Sequence, residues 1–241
     1  MSGDIRLSVW SGPRNISTAL MYAFRQRQDT EVFDEPLYGH YLAVTGRLHP
    51  GRDQILAAMD RDGRRVVADV LLGSGERPVR FYKNMAHHLV GLDLGFLDRL
   101  SNVVLTRRPD EMLASLAKEL PDAGIDDTGL PLQVALLDRI VAAGHTPIVL
   151  EAAEVLRRPG AVLAELCRRV GIPFDPAMLS WPAGPKPEDG VWAPHWYAAV
   201  HRSTGFAPPG TTPAPLPPHL EPVLAECLPL YERLAAYAIT G

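Results

Sequence analysis

The chain contains little cysteine, no long apolar run and no leader pattern at its start. Its 241 residues include two cysteines, too few for a disulfide framework or a four-cysteine zinc site. No stretch approaches the roughly 18 to 20 apolar residues that span a bilayer. The first ten residues lack the basic and apolar segments of a signal peptide. We therefore expect a cytoplasmic protein that has no contact with a membrane.

The chain also lacks an excess of positive charge. Its formal net charge of −4 argues against a protein that coats nucleic acid. Hydrophobic residues make up 46% of the chain and charged residues 22%, so a substantial core can form. The length allows one large α/β domain or two small ones, and we predict a single domain over residues 1–241. A homodimer is compatible with the sequence.

Short apolar runs, mostly rich in β-formers, alternate with segments of helical periodicity. The runs predict strands at 5–10, 31–33, 79–82, 103–106 and 147–150. The periodic segments predict helices at 17–27, 54–61, 109–120, 132–143, 160–170 and 220–239, whereas 64–72 fits either structure. This alternation predicts an α/β fold with a doubly wound parallel sheet of about five strands flanked by helices. Ligands bind such sheets at the carboxyl ends of the strands.

Proline is concentrated in one segment near the end of the chain. Residues 171–222 contain 13 of the 23 prolines, a density that blocks long helices and central strands. The same segment carries large aromatic residues: Trp181, Trp192, Trp196, Tyr197 and Phe206. We therefore expect an ordered lid or a loop that wraps the surface, and not a flexible linker.

The strongest local pattern follows the first predicted strand. It consists of seven consecutive residues: Gly12, Pro13, Arg14, Asn15, Ile16, Ser17 and Thr18. The free N–H groups and the dipole of a helix start favour an anion there, and Arg14 adds a fixed charge. The second glycine and the lysine of the nucleotide-kinase loop are missing. In the alternative interpretation, Ser17 is only a helix N-cap.

A second basic pattern lies at the end of the fourth predicted strand. Arg107 ends the strand, Pro109 starts a helix and Ser115 lies about two turns into that helix. An arginine and a serine placed in this way would hold a second phosphate. Two anion sites on neighbouring loops suit a nucleotide that has phosphates at both ends. The alternative is that Arg107 is a surface charge and Ser115 a solvated residue.

In combination, these patterns resemble the sulfotransferases that use 3′-phosphoadenosine 5′-phosphosulfate (PAPS). The loop at 12–18 resembles their 5′-phosphosulfate loop, although it carries Ile16 where a glycine is usual and Arg14 where a lysine is usual. Arg107, Pro109 and Ser115 resemble their 3′-phosphate motif, and residues 190–192 resemble their glycine-rich closing loop. Segments 11–27 and 33–42 are also similar to a bacterial sulfotransferase-like branch and to the N-terminal domain of plant branched-chain-aminotransferase-like proteins.

The resemblance implies a P-loop-like sheet and transfer of a sulfuryl group from PAPS to a hydroxyl of a small acceptor. The products would be the sulfated acceptor and adenosine 3′,5′-bisphosphate, and no metal ion is expected. Residues 12–18, Arg107 and Ser115 would bind the donor, while Lys186 and Trp192 would cover it. The alternatives are an ATP-dependent phosphotransferase and a non-catalytic module that binds 3′,5′-bisphosphorylated adenosine.

The resemblance also suggests three catalytic residues. Glu35 follows the second strand and resembles in placement the base of the carbohydrate sulfotransferases, although it would also serve as an acidic helix cap. Adjacent side chains usually point apart, so we expect Asp34 or Glu35, but not both, to face the cleft. Lys83 ends the third predicted strand and would neutralise the leaving group. His87, four residues later, is a second candidate for the base or for contact with the acceptor.

Four further residues are predicted to line the acceptor pocket. They are Tyr38, His40, Tyr41 and His88. In the alternative interpretation, Tyr38 and Tyr41 are ordinary core aromatics that lie three positions apart on one helix. Adjacent histidines at the start of a helix are often packing residues, so His88 has the same alternative.

Overall fold

The strands lie where the apolar runs predict them. The computed structural model of the chain describes residues 4–208 and 215–240. Its strands are β1 (Ile5–Ser11), β2 (Thr30–Asp34), β3 (Val79–Met85), β4 (Ser101–Thr106) and β5 (Ile148–Glu151). Strand β3 is fully buried along its length, as expected for a central strand of a parallel sheet.

The sheet is wound in both directions from its first strand. Its order is β2-β3-β1-β4-β5. The chain starts in the middle, runs to one edge at β2, returns to place β3 beside β1, and then adds β4 and β5 on the other side. The pairs β2–β3 and β4–β5 are parallel, with Thr30 beside Val79 and Val103 beside Ile148. Helices supply the crossovers that parallel neighbours require. The predicted doubly wound α/β sheet of five strands flanked by helices is confirmed.

The helices match the periodic segments, with additional short ones. They are α1 (Ser17–Arg25), α2 (Tyr38–Thr45), α3 (Arg52–Ala58), α4 (Gly63–Val66), α5 (Pro109–Leu116), α6 (Leu130–Ala142), α7 (Ala152–Arg157), α8 (Pro159–Val170), α9 (Ala193–Trp196), α10 (Ala198–His201) and α11 (Glu221–Ala235). The ambiguous segment 64–72 is helical, because the Asp62 side chain caps α4 and a π-helical turn, Val67–Leu71, continues it. No helix in the described ranges has both the length and the apolar composition that crossing a bilayer requires.

The chain divides into two compact units. The first unit comprises, among the described residues, 4–9, 17–102 and 175–206. Its core contains the stacked pair Phe24 and Phe81, whose ring centroids lie 4.5 Å apart, and Tyr82, on which the half-buried Phe33 stacks at 4.9 Å. Such pairs add to the free energy gained by burying their area.

The second unit comprises 10–16, 103–174, 207–208 and 215–240. Helix α8 shows why its sequence folds locally: Pro159 starts it, Gly171 ends it at a φ of 82° and one face is buried. The last helix, α11, packs on α5 and α6. After it, the Ile239 N–H donates to the Val149 carbonyl at 2.9 Å. The prediction of a single domain over 1–241 stays a prediction.

The proline-rich segment is ordered where it is described. Residues 175–206 belong to the first unit, and Trp181, Trp192 and Tyr197 are buried in it. Trp181 also makes an edge-on contact with Phe206 at 5.0 Å. Aromatic packing therefore holds this segment, as expected. Residues 209–214 of the predicted 171–222 segment lie outside the described residues.

Candidate functional site

The loop after β1 is tightly confined within the second unit. A Cβ atom at Gly12 would lie 2.5 Å from the Thr128 carbonyl oxygen. This is too close for a real Cβ atom, so only glycine fits at this position without a shift of the backbone. Two residues on, Arg14 has a φ of 53°, in the left-handed region that costs a non-glycine residue about 1–3 kcal/mol. Strain of this kind clusters at functional positions, and the surrounding structure must stabilise it.

Hydrogen bonds join the loop to the second basic pattern. The Arg14 Nε donates to the Ser115 Oγ at 3.0 Å. Arg107 donates from Nη1 to the Arg14 carbonyl oxygen at 2.8 Å and pairs with Glu111 at 3.0 Å. Arg14, Arg107 and Ser115 therefore form one group, which we call the phosphate-loop cluster. The structure brings together the residues that the sequence assigns to the two ends of a nucleotide.

Amide side chains fix this loop against the ends of the strands. Asn15 donates from Nδ2 to the Leu105 carbonyl at 3.1 Å and accepts from the Ile16 N–H at 2.9 Å. Gln133 of α6 donates to the carbonyls of Trp10 and Leu105, at 3.0 and 2.8 Å. The ends of β1 and β4 are thus tied to one buried amide, which defines the backbone path of the loop.

The chemistry of the phosphate-loop cluster suits an anion. It holds two guanidinium groups but, in the described part of the chain, one ion-paired carboxylate, Glu111. The donors of a guanidinium match phosphate and sulfate oxygens in pairs. Ser17 and Thr18, the last two residues of the predicted loop, belong to the first unit, where they are buried at the start of α1. The donor set therefore fits the phosphates of a nucleotide.

A second group of polar side chains lies buried in the first unit, around Lys83. Its Nζ donates to Asp34 at 2.9 Å, to Glu35 at 2.5 Å and to the hydroxyl of Tyr197. The side chains of Lys83, Asp34 and Glu35 are 2%, 1% and 9% exposed, so little water competes for these contacts. We call these four residues the Lys83 cluster.

Two expectations about this cluster were wrong. Asp34 and Glu35 do not point apart, because both contact the same ammonium group. The reason is the φ of 44° at Glu35, which turns the chain out of the extended conformation directly after β2. Lys83 does not end its strand either, because β3 continues to Met85.

Burial and charge set the protonation of the cluster. Burial raises the pKa of Glu35; the positive charge of Lys83 opposes this rise and the negative charge of Asp34 adds to it. Burial disfavours the ammonium form of Lys83, but the charges of Asp34 and Glu35 outweigh burial and hold its pKa well above its ordinary value. Lys83 is therefore a cation at neutral pH, and Glu35 is a stronger base than an exposed glutamate.

Tyr197 is the member of the cluster that sequence reasoning did not assign to the site. Its hydroxyl donates to Asp34 at 2.8–2.9 Å and accepts from the indole N–H of Trp192 at 3.0 Å. Asp34 also accepts from the backbone N–H of Gly190 at 3.0 Å. Tyr197 lies 114 residues from Lys83, so no local pattern could have linked them.

Histidine and tyrosine rings pack beside the cluster. His88 stacks on Tyr38 and Tyr41, with centroids 4.8 and 4.7 Å apart, and its Nε2 lies 4.0 Å from Glu35. His87 meets Tyr41 edge-on at 4.9 Å. Burial lowers the pKa of His87 to about 3 and that of His88 well below its ordinary value. Both imidazoles are therefore neutral at pH 7.

The remaining predicted residues lie in the same unit, with partners of their own. His40 donates from Nε2 to the Val90 carbonyl at 2.8 Å. Lys186 donates to two backbone carbonyls of its own segment at 2.7 Å, and its Nζ lies 5.1 Å from the ring centroid of Tyr22. Trp192 is buried against Tyr38, with centroids 5.1 Å apart. Within the described ranges, no group of three His, Cys, Asp or Glu side chains is placed to hold a metal ion.

Two relatives share much of the sequence. They are branched-chain-amino-acid aminotransferase-like proteins 2 and 1 of Arabidopsis thaliana, 40% and 42% identical over 232 and 229 residues. The matches cover 96% and 95% of this chain but 41% of each relative. The chain thus spans about two fifths of the length of the curated relatives it matches. The predicted similarity to these plant proteins is confirmed.

Solved structures support the fold. A sulfotransferase domain from the curacin biosynthetic pathway has a TM-score of 0.55 at 12% identity, covering 98% of this chain and 99% of that one. A sulfotransferase domain from the Synechococcus PCC 7002 olefin synthase has a TM-score of 0.53 at 16% identity, covering 100% and 98%. The family model described as a sulfotransferase domain matches residues 5–238. With nearly the whole chain matched and the fold in agreement, the chain belongs to the sulfotransferase family.

Proposed function

We propose that the chain transfers a sulfuryl group from PAPS to a hydroxyl of a small acceptor. The observation that carries the proposal is the phosphate-loop cluster, in which Arg14, Ser115 and Arg107 are joined by hydrogen bonds. Their donors suit the two phosphate-bearing ends of this nucleotide. Lys186 and Trp192 would cover the donor. We also propose that the reaction takes place in the cytoplasm, without a nucleic-acid partner.

The Lys83 cluster supplies the acid–base chemistry in this proposal. When bound, PAPS supplies a sulfuryl group attached to a phosphate leaving group. Glu35 accepts the proton of the acceptor hydroxyl, for which a carboxylate of raised pKa is suited. Once protonated, Glu35 no longer forms an ion pair with Lys83. One N–H of Lys83 then becomes free to donate to the oxygen that gains negative charge.

The aromatic rings beside the cluster would orient the acceptor. Tyr38, Tyr41 and His88 form a stacked group of rings near Glu35, and His87 adds a neutral imidazole. We assign to His87 contact with the acceptor and not proton transfer, because a base with a pKa of about 3 holds a proton weakly at pH 7. The Nε2 of His40 already donates to the Val90 carbonyl. We therefore assign His40 a structural role at the edge of the acceptor pocket.

Calorimetry with adenosine 3′,5′-bisphosphate, without magnesium, tests the donor site. We expect Arg107→Ala to weaken binding roughly 10- to 100-fold, as for a lost hydrogen bond to a charged group. Arg108→Ala is the matched control, because Arg108 is 56% exposed and pairs with Asp110. Preference for ATP with magnesium would instead support a phosphotransferase.

Transfer of labelled sulfate from PAPS to a set of phenols, alcohols and sugars tests the reaction. We expect Glu35→Gln to reduce kcat by about 100-fold or more while the affinity for adenosine 3′,5′-bisphosphate stays the same. The exposed substitution Glu76→Gln is the control. Binding of the nucleotide without transfer to any of these acceptors would favour the non-catalytic module.

A further inference from the structure

Tyr22 of α1 contacts three residues of the proline-rich segment. Its hydroxyl donates to the Asp189 side chain at 2.7–2.8 Å, and its ring meets Trp181 edge-on, with centroids 6.3 Å apart. The Nζ of Lys186 lies 5.1 Å from the centroid of the same ring. Tyr22 is fully buried, so little water competes for these contacts. We call residues 181–192, which these contacts hold, the strap.

Asp189 has two further partners among the described residues, and both belong to residues 175–206. The Lys186 backbone N–H donates to Asp189 at 2.7 Å, and the Nε2 of His201 lies 3.0 Å from it. These two contacts organise the segment internally, whereas Tyr22 joins it to α1. Burial, together with the hydrogen bond to Asp189, raises the pKa of Tyr22 above its ordinary value. The Tyr22 hydroxyl therefore keeps the proton that it donates.

The strap continues directly into the Lys83 cluster. The backbone N–H of Gly190 donates to Asp34 at 3.0 Å, and the indole N–H of Trp192 donates to the Tyr197 hydroxyl at 3.0 Å. A Cβ atom at Gly190 would lie 2.2 Å from the Trp192 ring, so the backbone and the ring are in close contact here. A shift of the strap would therefore move two groups that hold members of the cluster.

Resting on the function proposed above, we propose that Tyr22 is a positioning residue that anchors the strap through Asp189. The anchor fixes Gly190 and Trp192 against the Lys83 cluster, where the proton of the acceptor is taken up. Tyr22 itself contacts no substrate and acts by limiting the motion of the strap. A segment opens at little cost in free energy where few buried contacts hold it, so the loss of one buried anchor should be measurable.

A second contact from α1 to the strap is exposed. The Arg25 Nε donates to Glu188 at 2.7 Å, and their side chains are 31% and 33% exposed. Water and salt screen an ion pair of this kind, so it contributes little to stability. We therefore expect the buried bond of Tyr22, and not the Arg25 pair, to hold the strap. Arg25→Gln is the matched control.

Hydrogen exchange measured by NMR tests the anchor. The reporters are the Gly190 amide and the Trp192 indole N–H, the latter assigned with Trp192→Phe. Tyr22→Phe keeps the ring, and we expect both reporters to exchange about three- to tenfold faster, as for one lost hydrogen bond. Arg25→Gln should exchange like the wild type, and so should Tyr82→Phe, which loses a tyrosine hydrogen bond elsewhere in the first unit. No acceleration in Tyr22→Phe, or an equal one in Arg25→Gln, would overturn the proposal.

Two further measurements guard against a general loss of stability. The Val79 amide, which donates to a carbonyl at the start of β3, should exchange at the wild-type rate in Tyr22→Phe. If it accelerates as much as the Gly190 amide, the anchor is not the cause and the proposal is wrong. Asp189→Asn reaches the same bond from the strap, also if Tyr22→Phe does not fold. The double variant should exchange no faster than Asp189→Asn, whereas effects that multiply would refute a shared contact.

Kinetics separate this inference from the proposed function. At saturating PAPS we expect kcat of Tyr22→Phe to fall about three- to tenfold, because the groups around Lys83 are held less precisely. Tyr82→Phe should keep the wild-type kcat. If the wild-type chain transfers no sulfate, the proposed function fails, yet hydrogen exchange still decides whether Tyr22 anchors the strap. A looser strap with an unchanged kcat in an active enzyme would contradict the positioning role alone.

Discussion

The Nε of Arg14 donates a hydrogen bond to the Oγ of Ser115 at 3.0 Å, although 101 residues separate them in the chain. The two residues come from two motifs that the sequence assigns to opposite ends of one nucleotide. Arg107 strengthens the link, because its Nη1 donates to the Arg14 carbonyl at 2.8 Å. The strained backbone of Arg14 is therefore held from both its side chain and its carbonyl.

Ser115→Ala tests this link. The substitution removes the acceptor of the Arg14 Nε and one predicted donor to the nucleotide. We expect the affinity for adenosine 3′,5′-bisphosphate to fall about three- to tenfold, as for one hydrogen bond, with a melting temperature close to that of the wild type. Calorimetry and thermal unfolding measure both, with the exposed substitution Ser74→Ala as the control. Unchanged affinity would remove Ser115 from the donor site.

Gly12→Ala tests how closely the loop is confined. The added methyl group would lie 2.5 Å from the Thr128 carbonyl oxygen, and a backbone atom cannot move aside cheaply. We expect a loss of about 1–3 kcal/mol in the free energy of unfolding and weaker nucleotide binding, because the loop must shift. Gly95→Ala is the control, since its methyl group would meet Asp93 at an ordinary 3.4 Å. Equal free energies of unfolding in urea for Gly12→Ala and Gly95→Ala would show that the loop at Gly12 is not closely confined.

The sheet and its main helices could be predicted because their signals are local. Five apolar runs predicted β1 to β5, with ends that differ from the observed ones by up to three residues, and Pro109 predicted where α5 begins. Helix α2 was harder to predict, because its first five residues are all buried and its sequence shows no alternation of polar and apolar faces. The phosphate-loop cluster was predictable in its members, because both motifs directly follow strands.

The Lys83 cluster could be predicted only in part. Glu35 and Lys83 follow or end apolar runs, which is a local signal. The left-handed backbone of Glu35 carries no such signal, because φ at a non-glycine residue depends on tertiary contacts. Tyr197 is tied to Asp34 by contacts across 163 positions, and it stands in a proline-rich segment whose packing the sequence does not specify.

Lys83→Met tests how much the free energy of unfolding falls when the buried carboxylates lose their counter-ion. Without the ammonium group, Asp34 and Glu35 would be left without their counter-ion, and breaking such a buried pair costs about 3–5 kcal/mol at pH 7. We expect the deficit in the free energy of unfolding to shrink as the pH falls, because protonation removes the uncompensated charge. Urea unfolding at several pH values measures it, with the exposed substitution Lys118→Met for comparison. A constant deficit across pH would show that lost packing, and not charge, is the cause.

His88 should make the fold sensitive to acid. Burial, with the neighbouring His87 adding to it, holds the pKa of His88 well below its ordinary value of 6.5, so the folded state stays neutral where the unfolded chain binds a proton. A group whose pKa is lowered on folding contributes stability above its unfolded pKa and loses it as the pH falls. We therefore expect the free energy of unfolding to drop below about pH 6.5, by about 1.4 kcal/mol per pH unit for one proton. His88→Gln should reduce this slope by the contribution of one proton, about 1.4 kcal/mol per pH unit. His145→Gln, at an exposed position, should leave the slope unchanged. Urea unfolding between pH 7 and pH 4 gives both slopes, and equal slopes for His88→Gln and the wild type would disprove the role of His88.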